Sequence, residues 1–234
     1  VVTISPQTDI VIDSNVGGHF GPFMKFAGFD SLEVQGKANE DVILFIDGIN
    51  GKVEIYSAPE EPVDSHLLAE ELHEIFSDDE KDKKNVSVVS SGIAAQHSLI
   101  GMLNFSFYDP KRKVVRLKQA GRGGIGTVMR DKKIKAIVAK IDGVKGNLNN
   151  VVDLNTIIER GKRFNREMRE LDESQAQMRS KGTAHLTNIM NDYDLLPTHN
   201  FKFGSHPDAY KIHSDVYKER FTQGMPDGCW IGCN

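Results

Sequence analysis

Cysteine is almost absent from this chain: of 234 residues only Cys229 and Cys233 are cysteines, and both fall in the last six positions. A disulfide framework spreads its cysteines along the sequence, so none is expected. No apolar run approaches the roughly 18–20 residues that a membrane span needs, and no signal peptide is visible. A soluble, cytoplasmic protein without a membrane partner is the expectation. Neither sign of charge dominates, since 29 basic and 33 acidic residues leave a net charge of −4. That balance gives no electrostatic case for nucleic acid. The histidines, among them His19, His97, His185, His199, His206 and His213, form no H-x-H or H-x-x-x-H pair suited to a mononuclear metal. No Ser/His/Asp order, paired-carboxylate motif or H-E-x-x-H is present. Composition is otherwise ordinary, 39% hydrophobic and 26% charged, in a chain long enough for one large domain or two small ones.

Against these absences stands a concentration of glycine. Gly121, Gly123, Gly124 and Gly126 lie within six residues, with Arg122 among them. Glycines so dense let the backbone take positive φ, approach a ligand closely and leave N–H groups unshielded. A helix starting just after them adds its positive end, so the loop suits phosphate or another anion. A tight loop between two elements is the bland alternative. The spacing loosely satisfies the G-x-G-x-x-G dinucleotide fingerprint, but the preceding run Lys111–Lys118 is basic rather than a buried parallel strand. The Walker pattern fails outright, because Gly126 is followed by Thr127-Val128.

Residues 1–142 alternate short β-type runs with turns. The patterning predicts strands at Val1–Ile4, Asp9–Asp13, Leu32–Gln35, Val42–Ile46, Val53–Tyr56, Val86–Ser90, Met102–Phe107 and Ile134–Ile141. Asp47–Gly51 reads as a hairpin connection, and Asp64–Phe76 as a helix capped by Asp64 or Ser65. Gly143–Asn150 reads as a linker. Beyond it, Asp153 caps a long helix through Leu171 whose stripe Leu154, Ile157, Ile158, Phe164 and Met168 is expected to be core. Further helices are predicted from Gly182 to about Asn191 and over Ser214–Phe221.

Four segments, in order, carry a family resemblance. Ala120–Lys140 resembles the pterin-phosphate loop of the tungsten-dependent aldehyde:ferredoxin oxidoreductases, A-G-R-G-G-x-G-x-V-M with a Lys-rich turn and K-A-I-V after it. Ser14–Phe20 with Lys25–Asp30 is similar to the family's S-x-N-x-G-G-x-x and A-G-Y/F-D. Leu195–Phe201 resembles its L-P-T-x-N-F, and Asp227–Cys233 the start of its 4Fe–4S cysteine cluster. The implied fold is α+β: a β-rich, two-sheet pterin-binding domain over residues 1–142, incomplete at its N-terminal side, then the beginning of an all-helical domain over 151–234. Family members carry a further part of the first domain before the position of Val1, including an arginine near the cofactor. The resemblance therefore implies an internal segment of a longer polypeptide, or one piece of a split enzyme.

The site residues follow from the same resemblance. Asn15 alone reads as a turn residue; in the family the matching asparagine offers its backbone carbonyl to a magnesium ion bridging two pterin phosphates. Gly17 matches the glycine that lies against the cofactor. Gln119 matches the second magnesium carbonyl, and magnesium suits such hard oxygen ligands. Lys118 stands where the family often has arginine, which keeps positive charge but loses the bidentate fork. Gly121 and Arg122 complete the cofactor contacts, with a salt bridge behind the loop as the other reading of Arg122. Cys229 and Cys233 are four apart, whereas the common family spacing is C-x-x-C-x-x-x-C. They match its second and third cysteines, or a variant spacing, which Pro226 at the first cysteine's place favours. Trp230 reads as a shield for the cluster or as packing. No catalytic side chain is assigned, since the family's acid–base candidates come later in the chain.

What the resemblance implies is a tungsten or molybdenum bis-pterin oxidoreductase that oxidises aldehydes to carboxylic acids. Electrons would leave through a 4Fe–4S cluster to ferredoxin or another low-potential carrier. The alternatives are the catalytic subunit of an aromatic acyl-CoA reductase of the same family, and a non-catalytic fragment or split subunit. A homo-oligomer or a completing subunit is the expected assembly.

Overall fold

The computed structural model describes residues 1–60, 65–143, 151–170, 173, 177 and 180–221. It contains two compact units, one holding the described residues up to 143 and the other those from 151. Among the described residues no helix is long and apolar enough to cross a membrane.

The first unit opens with a small antiparallel sheet of β1 (Val2–Ile4) and β2 (Val11–Asp13). A short helix α1 (Phe20–Phe26) follows. The main sheet comprises β3 (Val42–Asp47), β4 (Lys52–Ser57), β5 (Val86–Ser90), β6 (Leu103–Asp109), β7 (Val114–Ala120) and β8 (Ile134–Lys140). Its six strands run in the order β4-β3-β8-β5-β6-β7, with β3 and β8 parallel and every other pair antiparallel. Helix α2 (Ser65–Ile75) precedes β5, and α3 (Ile125–Asp131) joins β7 to β8.

The central strands are mostly apolar because both sheet faces are covered, although Asp47, Ser87, Ser90, Lys135 and Lys140 are buried on them too. On one face Leu44, Ile46, Leu103 and Phe105 pack with Phe20 and Phe23 of α1 and with Ile125 and Met129 of α3. On the other, Ile43, Phe45, Val86 and Val88 pack with Leu68 and Leu72 of α2. The β3–β4 hairpin closes as its sequence predicts. The Asp47 carboxylate accepts from the backbone N–H groups of Ile49 at 2.9 Å and Asn50 at 3.0 Å.

Several expectations change. Leu32–Gln35 is not a strand. Helix α1 was not among the expected elements; Pro22 lies in its first turn, where a missing N–H costs nothing. The basic run before the glycine loop is largely β7, an antiparallel edge strand, and an edge position tolerates its charges. The cap residue Asp64 lies outside the described residues.

The second unit is helical: α4 (Leu154–Glu170), α5 (Leu186–Asp192) and α6 (Ser214–Arg220), with short 3-10 turns between. Asp153 caps α4, its carboxylate accepting from the Thr156 N–H at 3.0 Å. The apolar stripe of α4 is not core. Leu154, Ile157, Ile158, Phe164 and Met168 are all exposed, Ile157 at 57% and Met168 at 60%.

Candidate functional site

Two segments far apart in sequence meet at one end of the main sheet. Strand β2 delivers the turn Ser14–Gly18, and β7 delivers Gly121–Gly124. They are tied at their centre: the backbone N–H of Arg122 donates to the buried Ser14 hydroxyl at 3.2 Å, across 108 residues of sequence. Gly18 has φ +97°, and a Cβ there would lie 3.7 Å from Cγ of Lys118. Lys118 and the Ser14–Gly18 turn therefore share one surface. Asn15, Gln119, Gly121 and Arg122 are exposed on it, while Gly17 and Lys118 are half-buried. The Asn15 amide donates to Asp13 at 3.3 Å. All six of the residues expected to bind cofactor thus lie on these two adjoining segments.

The four loop glycines divide by what surrounds them. A Cβ at Gly123 would fall 2.5 Å from Ile12, and one at Gly124 would fall 2.1 Å from the Leu99 carbonyl oxygen. A Cβ at Gly126 would meet the Met102 carbonyl oxygen at 2.1 Å. Gly123 and Gly124 also carry φ of +73° and +66°, which L side chains resist. These three glycines are required by the chain's own packing. Gly121 is different, because nothing lies within 4 Å of a Cβ built on it. That open side fits an external group approaching the backbone, in the place where the sequence suggests one.

The start of α3 departs from expectation. Its second residue, Gly126, donates its N–H to the Gly101 carbonyl at 2.9 Å, and Thr127 donates to Gly124 at 3.0 Å. Those N–H groups are engaged within the fold, so the start of α3 does not offer them to an anion.

On the sheet face turned toward α1, Lys118 stands opposite Phe105, and Arg116 opposite Phe107. The His19 ring stacks on Phe107 at 4.4 Å between centroids. Burial lowers the His19 pKa, with Asp109 opposing, so the ring favours its neutral form. Burial alone would raise the Asp109 carboxyl. Hydrogen bonds from the Arg112 side chain at 2.6 Å and from nearby backbone outweigh it and hold Asp109 below the usual carboxylate range. Sequence reading missed Ser14 as the link between the loops and His19 as the aromatic neighbour of β6. The one signal for Ser14 was a small hydroxyl beside a Gly-Gly turn.

The remaining predicted positions are elsewhere. Cys229, Trp230 and Cys233 lie outside the described residues. His199 sits in a turn where His199, Asn200 and Phe201 have φ of 48°, 56° and 67°, and its ring is 5.5 Å from that of His206. Among the described residues no group of three His, Cys, Asp or Glu side chains is placed to hold a metal ion.

With this geometry in place, comparison with known proteins gives a consistent result. Residues 1–141 match the aldehyde ferredoxin oxidoreductase N-terminal domain, and residues 159–234 match domains 2 and 3 of the same family. The tungsten-containing aldehyde ferredoxin oxidoreductase of Pyrococcus horikoshii is 32% identical over 238 residues, covering 100% of this chain and 36% of the relative. The corresponding Pyrococcus furiosus protein is 29% identical, again over 100% of this chain and 36% of the relative. The WOR-like subunit of a Pyrococcus furiosus aliphatic sulfonate oxidoreductase is 30% identical over 61% of this chain and 23% of its own length. Among solved structures, the BamBC active-site complex of benzoyl coenzyme A reductase with 1,5-dienoyl-CoA shares the fold. Its TM-score is 0.56 at 24% identity, covering 97% of this chain and 33% of that one. The chain spans 36% of the length of the tungsten-containing relatives. It belongs to the aldehyde ferredoxin oxidoreductase family, over that family's N-terminal domain and the beginning of its following domains.

Proposed function

We propose that this chain supplies the pterin-phosphate cradle of a tungsten or molybdenum bis-pterin oxidoreductase that oxidises aldehydes to carboxylic acids. The observation that carries the reading is the pairing of the Ser14–Gly18 turn with the Gly121–Arg122 loop, joined by the Arg122–Ser14 hydrogen bond and open at Gly121. The donor set fits the group: the exposed residues Asn15 and Gln119, a glycine with open space on its Cβ side, and two cations, Lys118 and Arg122. Asn15 and Gln119 would offer carbonyl oxygens to a magnesium ion between phosphates. Gly17 and Gly121 would let pterin approach the backbone, and Lys118 and Arg122 would balance phosphate charge. The metal, when bound, supplies the oxygen-atom and two-electron chemistry. This chain's own residues orient the cofactor and neutralise it; they take no proton in that scheme.

Cys229 and Cys233 would be two of four thiolates on a 4Fe–4S cluster passing electrons to ferredoxin or another low-potential carrier. A longer polypeptide or a completing subunit supplies the other ligands, in a cytoplasmic protein. A second reading, reduction of an aromatic acyl-CoA, is favoured by the fold shared with the benzoyl coenzyme A reductase complex. Metal analysis of the full-length protein tests both, and aldehyde oxidation coupled to a viologen dye separates them. Purified full-length protein with neither tungsten, molybdenum nor pterin would refute both readings.

A further inference from the structure

The two edges of the main sheet are unlike. Strand β7 ends one side and carries the charged residues Arg116 and Lys118, which discourage a further strand. Strand β4 ends the other side with the sequence Lys-Val-Glu-Ile-Tyr-Ser, and among the described residues no strand pairs with its outer side. The Ala58 N–H donates to the Asp41 carbonyl at 2.9 Å, and bonding directions alternate along the β3–β4 pair. Lys52, Glu54 and Tyr56 therefore exchange backbone hydrogen bonds with β3, whereas Val53, Ile55 and Ser57 turn their N–H and C=O groups outward. Val53 and Ile55 are also exposed, Ile55 at 69%. Charge on the strand's other face is matched within it: Lys52 lies 2.9 Å from Glu54, which also accepts from the Tyr56 hydroxyl at 2.9 Å. Strands β1 and β2, of 3 residues each, offer much shorter edges.

We propose that β4 is a self-pairing edge, to which a second copy of this chain adds its own β4 antiparallel, so that the two main sheets become one. The inference stands apart from the cofactor reading. A two-fold axis limits the registers, because outward-facing residues must oppose outward-facing residues. Centred on Ile55, the pairing sets Ile55 against Ile55 and Val53 against Ser57 of the second copy, each pair exchanging its backbone hydrogen bonds. Glu54 then opposes Tyr56, an acceptor against a hydroxyl donor. Centred on Glu54, the strands would set two carboxylates opposite each other with Cα atoms about 4.5 Å apart, which is destabilising. Centring on Tyr56 would set Val53 against Pro59, which has no N–H to donate. Centring on Val53 would run Ile55 against Gly51 in the hairpin turn. The strand is thus complementary to itself in one register, and the axis closes the assembly at a dimer.

The test is cysteine cross-linking and amide exchange in the full-length protein. Residues opposed as a hydrogen-bonded pair have Cα atoms about 5.5 Å apart, within disulfide reach. Oxidised Ile55→Cys should therefore give a covalent dimer. Ser57→Cys alone should not, since its two copies would stand roughly 14 Å apart along the strands. Mixed with Val53→Cys, it should cross-link. Ile55→Lys should lower the mass measured by light scattering to that of a single chain. It should also speed amide exchange at Val53 and Ser57 by roughly tenfold or more, while Glu54 and Tyr56 stay protected because the sheet itself remains folded. Failure of Ile55→Cys to cross-link overturns the proposal, as does Ser57→Cys that cross-links equally well alone. Val53 and Ser57 amides that exchange fast in the unaltered protein would mean an open edge. Amides that stay slow in Ile55→Lys would mean an edge covered by further sequence of the same polypeptide. Either result overturns self-pairing.

Discussion

Single residues in this chain carry opposite burdens although they share a loop. Gly124 combines a φ of +66° with a Leu99 carbonyl oxygen 2.1 Å from where a Cβ would be. Gly124→Ala should therefore cost on the order of 3 kcal/mol, from backbone strain plus displaced packing. Gly121→Ala meets nothing and should change stability by less than about 0.5 kcal/mol, while lowering pterin content in the full-length protein. Denaturant unfolding of both variants checks the contrast, and equal losses would show that the loop is purely structural. A second residue-scale consequence concerns His73, which is fully buried beneath the sheet and lies 3.0 Å from the Ser106 hydroxyl. Burial pushes its pKa down from 6.5 to about 4. A folded pKa below the unfolded one means stability that is present above pH 6.5 and lost as pH falls toward 4. The loss should approach about 3 kcal/mol. His73→Gln should flatten that part of the stability–pH curve, and an unchanged slope would place the acid sensitivity elsewhere.

At the scale of elements, α4 shows where an amphipathic pattern and its burial come apart. Its stripe has the spacing of a core-facing helix, yet Ile157 is 57% and Phe164 52% exposed. Ile157→Ser should consequently alter the melting of this chain by less than about 0.5 kcal/mol, where a core position would cost several. A large loss on thermal unfolding would return the stripe to the core. The same contrast explains what was legible beforehand. Strands β3, β5 and β8 were readable because central strands covered on both faces are dominated by apolar and β-branched residues. The cap at Asp153 was readable because it is local chemistry. Helix α1 was hidden by Gly21-Pro22, and β7 by edge charges that a buried strand would not carry. The candidate site was legible as two motifs, which the resemblance brings together at one magnesium, but the contact that joins them was not. The Ser14 hydroxyl that joins them reaches across 108 residues, a distance no local periodicity encodes.

The molecule as a whole points beyond the residues described. The outer face of the β1–β2 sheet presents Val2 at 68%, Ile4 at 61% and Val11 at 72% exposure. Two strands alone are marginal, and a β-branched face exposed among the described residues calls for a covering surface. Under the proposed function, further protein that completes the cofactor site would cover this face. The proposed cluster, by its chemistry, makes a separate prediction. A 4Fe–4S centre takes four thiolates, and this chain offers two, Cys229 and Cys233. The chain by itself should therefore show no stable brown chromophore. The full-length protein should absorb near 400 nm, roughly where thiolate–iron charge transfer lies. In that protein Cys229→Ser or Cys233→Ser should lower iron and abolish electron delivery while tungsten stays bound. Iron retained in both variants would remove the two cysteines from the cluster. Tungsten lost together with iron would mean that cluster and cradle form as one cooperative site.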